Sequence, residues 1–299
     1  MVTSIQALLQ SWTPPVAVNA SLCLAALVYA RGWLRSRTGS PGLLSGWRLT
    51  AFLTGIFAVW CAIGSPLEAF DDLSLTVHMV QHLLLMVVAP PLILLGAPAL
   101  PLLRGLPRSL PRRFAAPFFR LGFVKSLTRA LTHPAVCWCA ATFALIGWHV
   151  PAVFELALRW GWLHELEHAS FLGTGLLFWW PVVQPWPSTA RWPRWSVPMY
   201  LFCATLPCDV LSGFLTFCDR VVYSPYLSAP SLFGLSPLED QECAAALMWV
   251  SVTVIFLVPA VIVTMEILLP AKSRTLGNTW VELRGIAGEP VHSSKMQVL

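Results

Sequence analysis

Seven histidines are spread along this 299-residue chain, and four of them form two pairs with one spacing. His78-Met-Val-Gln-His82 and His164-Glu-Leu-Glu-His168 both read H-x-x-[Q/E]-H. Residues four apart on a helix share a face, with Cβ atoms about 5–6 Å apart, so each pair can turn two imidazoles to one side. Convergent imidazoles are what a late first-row metal ion asks for. His149 is a candidate fifth ligand, and Glu165 and Glu167 are candidates for orienting imidazole N–H groups from outside the ligand set. Asp240 and Gln241 are secondary candidates, with Met248 two turns later; Met79, Met86 and Met248 would matter to Cu(I), which favours soft ligands. Glu68, Asp71 and Asp72 stand shortly before the first pair and could reach the same level.

Other chemistries share these residues. HELEH also fits H-E-x-x-H, in which Glu165 would be the general base of a zinc protease, although no downstream partner motif accompanies it. Two parallel helices could instead offer one axial histidine each to a haem, which leaves the doubling within each helix unexplained. His133 and His292 stand apart and read as structural or solvated.

The elements that must position these side chains are membrane helices. The chain is 57% hydrophobic and 11% charged, with a mean hydropathy of +0.69, which is more apolar surface than a soluble core of this length can hide. Apolar runs near 15–34, 47–65, 73–97, 133–151, 164–184, 196–217 and 242–269 are long enough to cross about 30 Å of hydrocarbon. They are continuous rather than alternating, so an all-α bundle of seven transmembrane helices is expected, not a barrel. The economical division is a single domain over 1–270 and a polar cytoplasmic tail over 271–299. A basic region before the first run is missing, so that run is expected to be retained as a helix. The eight cysteines lie mostly within the expected spans, which argues against a disulfide framework. Pro90 and Pro91 should kink or break the third span.

Basic residues set the orientation. They collect after the first span (Arg31, Arg35, Arg37, Arg48), after the third (Arg104, Arg108, Arg112, Arg113, Arg120, Lys125, Arg129), after the fifth (Arg191, Arg194) and in the tail (Lys272, Arg274, Arg284, Lys295). The other side holds Arg159 and Arg220 alone. Cytoplasmic loops collect Lys and Arg, so the N-terminus is expected outside and the C-terminus inside. The five paired or near-paired histidines then share one level in the outer half of the membrane. The pI of about 8.9 reports this topology and contact with anionic lipid, not nucleic acid.

SPLEAF (65–70), HMVQHLLLMVVAPPLILLGAP (78–98), WHVPAVFELAL (148–158), LHELEHASF followed by LLFWWPV, and SPLEDQECAAALMW (236–249) occur in that order. On these motifs the chain resembles the CtaG-type cytochrome c oxidase assembly factors of bacteria. The resemblance implies a multi-pass protein of the bacterial inner membrane that is not an enzyme, has haem-copper oxidase subunits as partners, and assists maturation of the oxidase at its copper centres. A copper ion is accordingly the expected metal at the histidines. A copper import or resistance protein is the alternative; such a transporter should carry polar residues across the whole bilayer, and below the histidine level the spans hold few ionisable groups.

Reporter fusions test the orientation. Fusions after Arg113 and in the tail should report cytoplasm, and a fusion at Ser231 should report the outside. A cytoplasmic signal at Ser231 would overturn both the orientation and the outer histidine level.

Overall fold

The structure, a computed structural model, describes residues 12–37, 45–107, 109, 122–185, 192–232 and 234–269; the expected tail over 271–299 lies outside these. The described residues form helices and no strand. They are α1 (Val16–Arg37), α2 (Gly46–Ile63), α3 (Leu75–Leu95), α4 (Ala99–Gly105), α5 (Gly122–Leu131), α6 (Pro134–Trp148), α7 (Pro151–Arg159), α8 (Gly161–Val183), α9 (Ser196–Phe217) and α10 (Pro237–Leu268). Short 3₁₀ turns at Pro66–Phe70 and Ser224–Leu227 lie in the connections.

Five of these are long and apolar enough to cross a membrane: α1, α2 continued through its 3₁₀ turn, α3, α9 and α10. A sixth arises if α5 and α6 count as one span through their 65° bend. The expected span at 164–184 coincides with α8, which has the length, but His164, Glu165, Glu167 and His168 in its first turns lower its hydropathy. The same side chains that could do chemistry thus weaken its signature as a span. The run at 133–151 ends in a corner at His149 and Val150, because Pro151 disfavours the helical region for the residue before it and opens α7 instead.

α3 is the hub. It packs on α2 along one side and on α8 and α10 along the other, while α9 pairs with α10 and α6 bridges α8 and α9; α1 and α4 pack together beside α2. Arg194 Nη2 lies 3.0 Å from Glu266 Oε2, joining the start of α9 to the end of α10 as antiparallel neighbours require. The outward faces carry Leu24 and Leu27 on α1, Phe202, Phe214 and Phe217 on α9, and Val254, Leu257 and Val258 on α10. Side chains of this kind, left unpacked by the protein, have lipid as their solvent.

Capping from another helix fixes the start of α3. The Asp240 carboxylate, in the first turn of α10, accepts from Leu75 N (2.7 Å), Thr76 N (3.3 Å), Ser74 Oγ (2.9 Å) and Thr76 Oγ1 (2.6 Å). An anion here satisfies orphan amides and complements the positive end of the helix dipole. The start of α10 is itself closed by a capping box of Ser236 and Glu239, which begins this helix earlier than the apolar run from 242 predicts.

The two prolines do not break α3. The helix passes them through one π turn, Leu84–Val88, in which Ala89 N donates to Leu84 O five residues back. Pro90 has no N–H to offer Met86 O, and a wider turn relieves the clash of its ring with that carbonyl. Gly175 of α8 packs against this spot: a Cβ there would stand 2.8 Å from both Met86 O and the Pro90 ring. Gly173, one turn-fraction away, has open space.

This contact yields a stability test. Gly175→Val should force α8 off α3 and cost about 1–3 kcal/mol, seen as a lower unfolding temperature in detergent. Gly173→Ala should leave stability unchanged or raise it by up to about 1 kcal/mol. Equal behaviour of the two variants would contradict the close approach.

Candidate metal centre

The α3–α8 contact brings the two histidine pairs face to face. Ring centroids are 4.2 Å apart within each pair, 5.3 Å between His78 and His164, and 5.7 Å between His82 and His168. His149 joins from the end of α6, its ring 6.4 Å from that of His82. Its Nδ1 is 2.7 Å from Leu145 O. A carbonyl only accepts, so this nitrogen carries the proton and Nε2 keeps its lone pair for the cluster. All five histidines that the sequence brings into question therefore meet in one place.

Glu167 stands among them rather than behind them. The residue is fully buried; Oε1 lies 3.5 Å from His82 Nε2 and 4.0 Å from His78 Nε2. At the other side of His78, Asp71 Oδ2 lies 3.8 Å from His164 Nε2. Two triads result, Asp71–His78–His164 and His78–His82–Glu167, each with its ligand atoms within 4.8 Å of one another. Two ligands at about 2.1 Å around a tetrahedral ion are about 3.4 Å apart, so the spacings need only a small inward adjustment.

The donor atoms have no other work. Both ring nitrogens of His78 and of His82, Nε2 of His149, His164 and His168, and both carboxylate oxygens of Glu167 are buried without a hydrogen-bond partner. Leaving one such group unsatisfied costs about 1–3 kcal/mol, and so many together are unusual in a folded protein. A cation at their centre would satisfy them together, and imidazole with carboxylate suits copper, zinc, iron or nickel. The residues fit such an ion. Outside the spans, burial and then the Asp72 charge push the Asp71 carboxyl up to about 8, so an arriving cation would displace a proton from it.

The remaining candidates act at a distance. Glu165, the residue that a zinc protease would use as its base, is exposed and belongs to neither triad. Asp240 is committed to the start of α3, as described above. Gln241 Oε1 accepts from Val222 N (2.7 Å), and its Nε2 donates to Leu215 O and Arg220 O, each at 3.2 Å. That fixes the loop carrying Tyr223, whose hydroxyl donates to His149 O (3.2 Å), and Tyr226, whose hydroxyl donates to Asp71 O (2.8 Å). These two tyrosines have no spacing signal in the sequence; only their rarity, four in the chain, could have drawn attention to them. Met248 lines a cavity of about 40 Å³ beside the cluster, with Met79, Met86, Cys208, His82 and His149. Phe154 and Phe171 close the histidines off, with rings 5.0 Å from His78 and 4.4 Å from His82.

No solved structure matches the chain. It is 26% identical over 250 residues to an uncharacterised protein of Mycobacterium bovis and to one of Mycobacterium tuberculosis, covering 82% of this chain and 38% of each relative. A Mycobacterium leprae protein, also uncharacterised, is 25% identical over 242 residues, 80% of this chain and 36% of its own length. The chain thus spans well under half the length of these relatives. Residues 27–268, which hold α2 to α10 and every member of the histidine cluster, match the family described as cytochrome c oxidase caa3 assembly factor, and the chain belongs to that family.

Proposed function

We propose that this protein assists the assembly of a haem-copper oxidase by holding a copper ion, as cargo rather than as a resident catalyst, in the cluster of His78, His82, His149, His164, His168 and Glu167. The observation that carries this reading is the set of buried, unpartnered imidazole nitrogens and Glu167 oxygens converging from α3, α6 and α8. Family membership supports oxidase assembly as the setting. Copper rests on chemistry: a nitrogen-rich site of given geometry binds Cu(II) more tightly than the other divalent first-row ions. The methionines and Cys208 of the adjoining cavity offer softer donors for the reduced ion.

On this reading the chain is one domain over 1–270 in the bacterial inner membrane, with α8 as a true span and seven crossings in all. The N-terminus and the cluster face the outer side, and oxidase subunits approach there. Basic connections on the cytoplasmic side meet anionic lipid. The role is non-enzymatic; the carboxylate buried among the rings is Glu167, whereas Glu165, the base a protease would use, is exposed.

Copper content of the purified protein tests the site. His82→Ala and His168→Ala should each weaken copper retention by about tenfold or more, whereas Glu165→Gln and His133→Ala should keep it. Unchanged copper in the double variant His82→Ala/His168→Ala would sink the shared site. Deleting the gene tests the role: the oxidase should be made but copper-deficient and poorly active, with total cell copper little changed. Altered cell copper beside normal oxidase activity would identify a permease instead.

A further inference from the structure

The two triads are not equivalent, and they share His78. Among their other members only the His164 side chain is partly open, at 18% exposed, whereas Asp71 (5%), His82 (6%) and Glu167 (1%) are buried. Their places in the chain differ in the same sense. Asp71 lies in the connection before α3, and His164 in the first turn of α8, at the end of the bundle where both helices begin. His82 and His168 lie one turn further in, a step of about 6 Å along the helix axis.

We propose that the cluster offers one ion two successive positions, an outer one made by Asp71, His78 and His164 and an inner one made by His78, His82 and Glu167. The ion enters by the outer position and settles in the inner one. This rests on the metal-holding reading above and adds a direction and an order of ligands to it.

The geometry carries the sequence of events. His78 is fully buried with both ring nitrogens unpartnered, and the rings of His82 and His164 lie 4.2 and 5.3 Å from its own. An ion held by His78 can release Asp71 and His164 while gaining His82 and Glu167, one ligand at a time and with no change of oxidation state. Each position supplies one carboxylate and two imidazoles. The net charge around the ion is therefore the same before and after the step, and moving inward adds no extra buried charge. Filling both positions at once would set two cations across a single imidazole, so they are used in turn.

Asp71 is held for this task. Its Oδ1 accepts from Asp72 N (2.8 Å) and its main-chain carbonyl from the Tyr226 hydroxyl, which leaves Oδ2 facing His164. Glu167 has neither oxygen engaged. The outer carboxylate is fixed at the entrance, while the inner one is free to close on an arriving ion.

Rapid freeze-quench electron paramagnetic resonance on the full-length, metal-free protein in detergent, mixed with one equivalent of Cu(II), tests the order. An early copper signal should convert into a later one. Asp71→Asn and His164→Ala should delay the later signal by about tenfold or more, and unfolding transitions of the metal-free variants in detergent that match that of the unaltered protein show that they fold. Glu167→Gln should bind copper and keep the early signal. Outer variants that load as fast as the unaltered protein would overturn the inference, as would two copper ions bound together with coupled spins. Unaltered protein that takes up no copper at all would instead defeat the metal-holding reading on which the inference rests.

Discussion

The close approach of α8 to α3 at Gly175 sets most of what matters in this molecule. Helices with ordinary side chains between them keep axes about 8–10 Å apart, and the absence of a Cβ at this point lets backbone meet the Met86 carbonyl and the Pro90 ring. Inside a membrane such small-residue contacts are a principal source of helix association, since apolar surface gains little by leaving lipid for protein. The contact lies below the histidines on both helices, so it fixes the gap across which the two pairs face one another. The π turn belongs to the same arrangement. It carries α3 past two prolines without a break, and it presents the carbonyl on which Gly175 rests.

Burial then gives the cluster its character. Five imidazoles and a carboxylate gathered at the end of a bundle, walled by Phe154 and Phe171, are expensive to keep without partners. Ordinary structural histidines would be hydrogen-bonded, as His149 is through Nδ1 and as none of the other four is through Nε2. The unpartnered donors are a cost to stability that an ion held among them, as proposed above, would offset.

Support for the cluster arrives from the far end of the sequence. Adjacent residues at the start of α10 serve two different parts of it. Asp240 caps the helix that bears His78 and His82, and Gln241 fixes the loop whose tyrosines hold the main chain at His149 and Asp71. Neither touches the rings. Both decide where the rings are, so changes at 240 or 241 act on the site through position.

The sequence by itself determined the all-helical class, the apolar runs and the histidines that belong together. These follow from local rules: apolar length and the four-residue period of a helix face. Its limits were equally physical. Length marked the run at 164–184 as a span, but the histidines and glutamates in the first turns of α8 lower its hydropathy below that of the other long helices. Pro90 and Pro91 were expected to kink or break the third span, and the structure instead carries the helix on through a π turn that meets Gly175 of α8. That Glu167 is buried among the rings while Glu165 is exposed was decided by tertiary structure, because residues two apart lie on different sides of a helix. Asp71, one of three acids the sequence placed within reach of the histidines, was singled out from Glu68 and Asp72 only by the fold, and Tyr223 and Tyr226 lie in a connection where no periodicity exists to read.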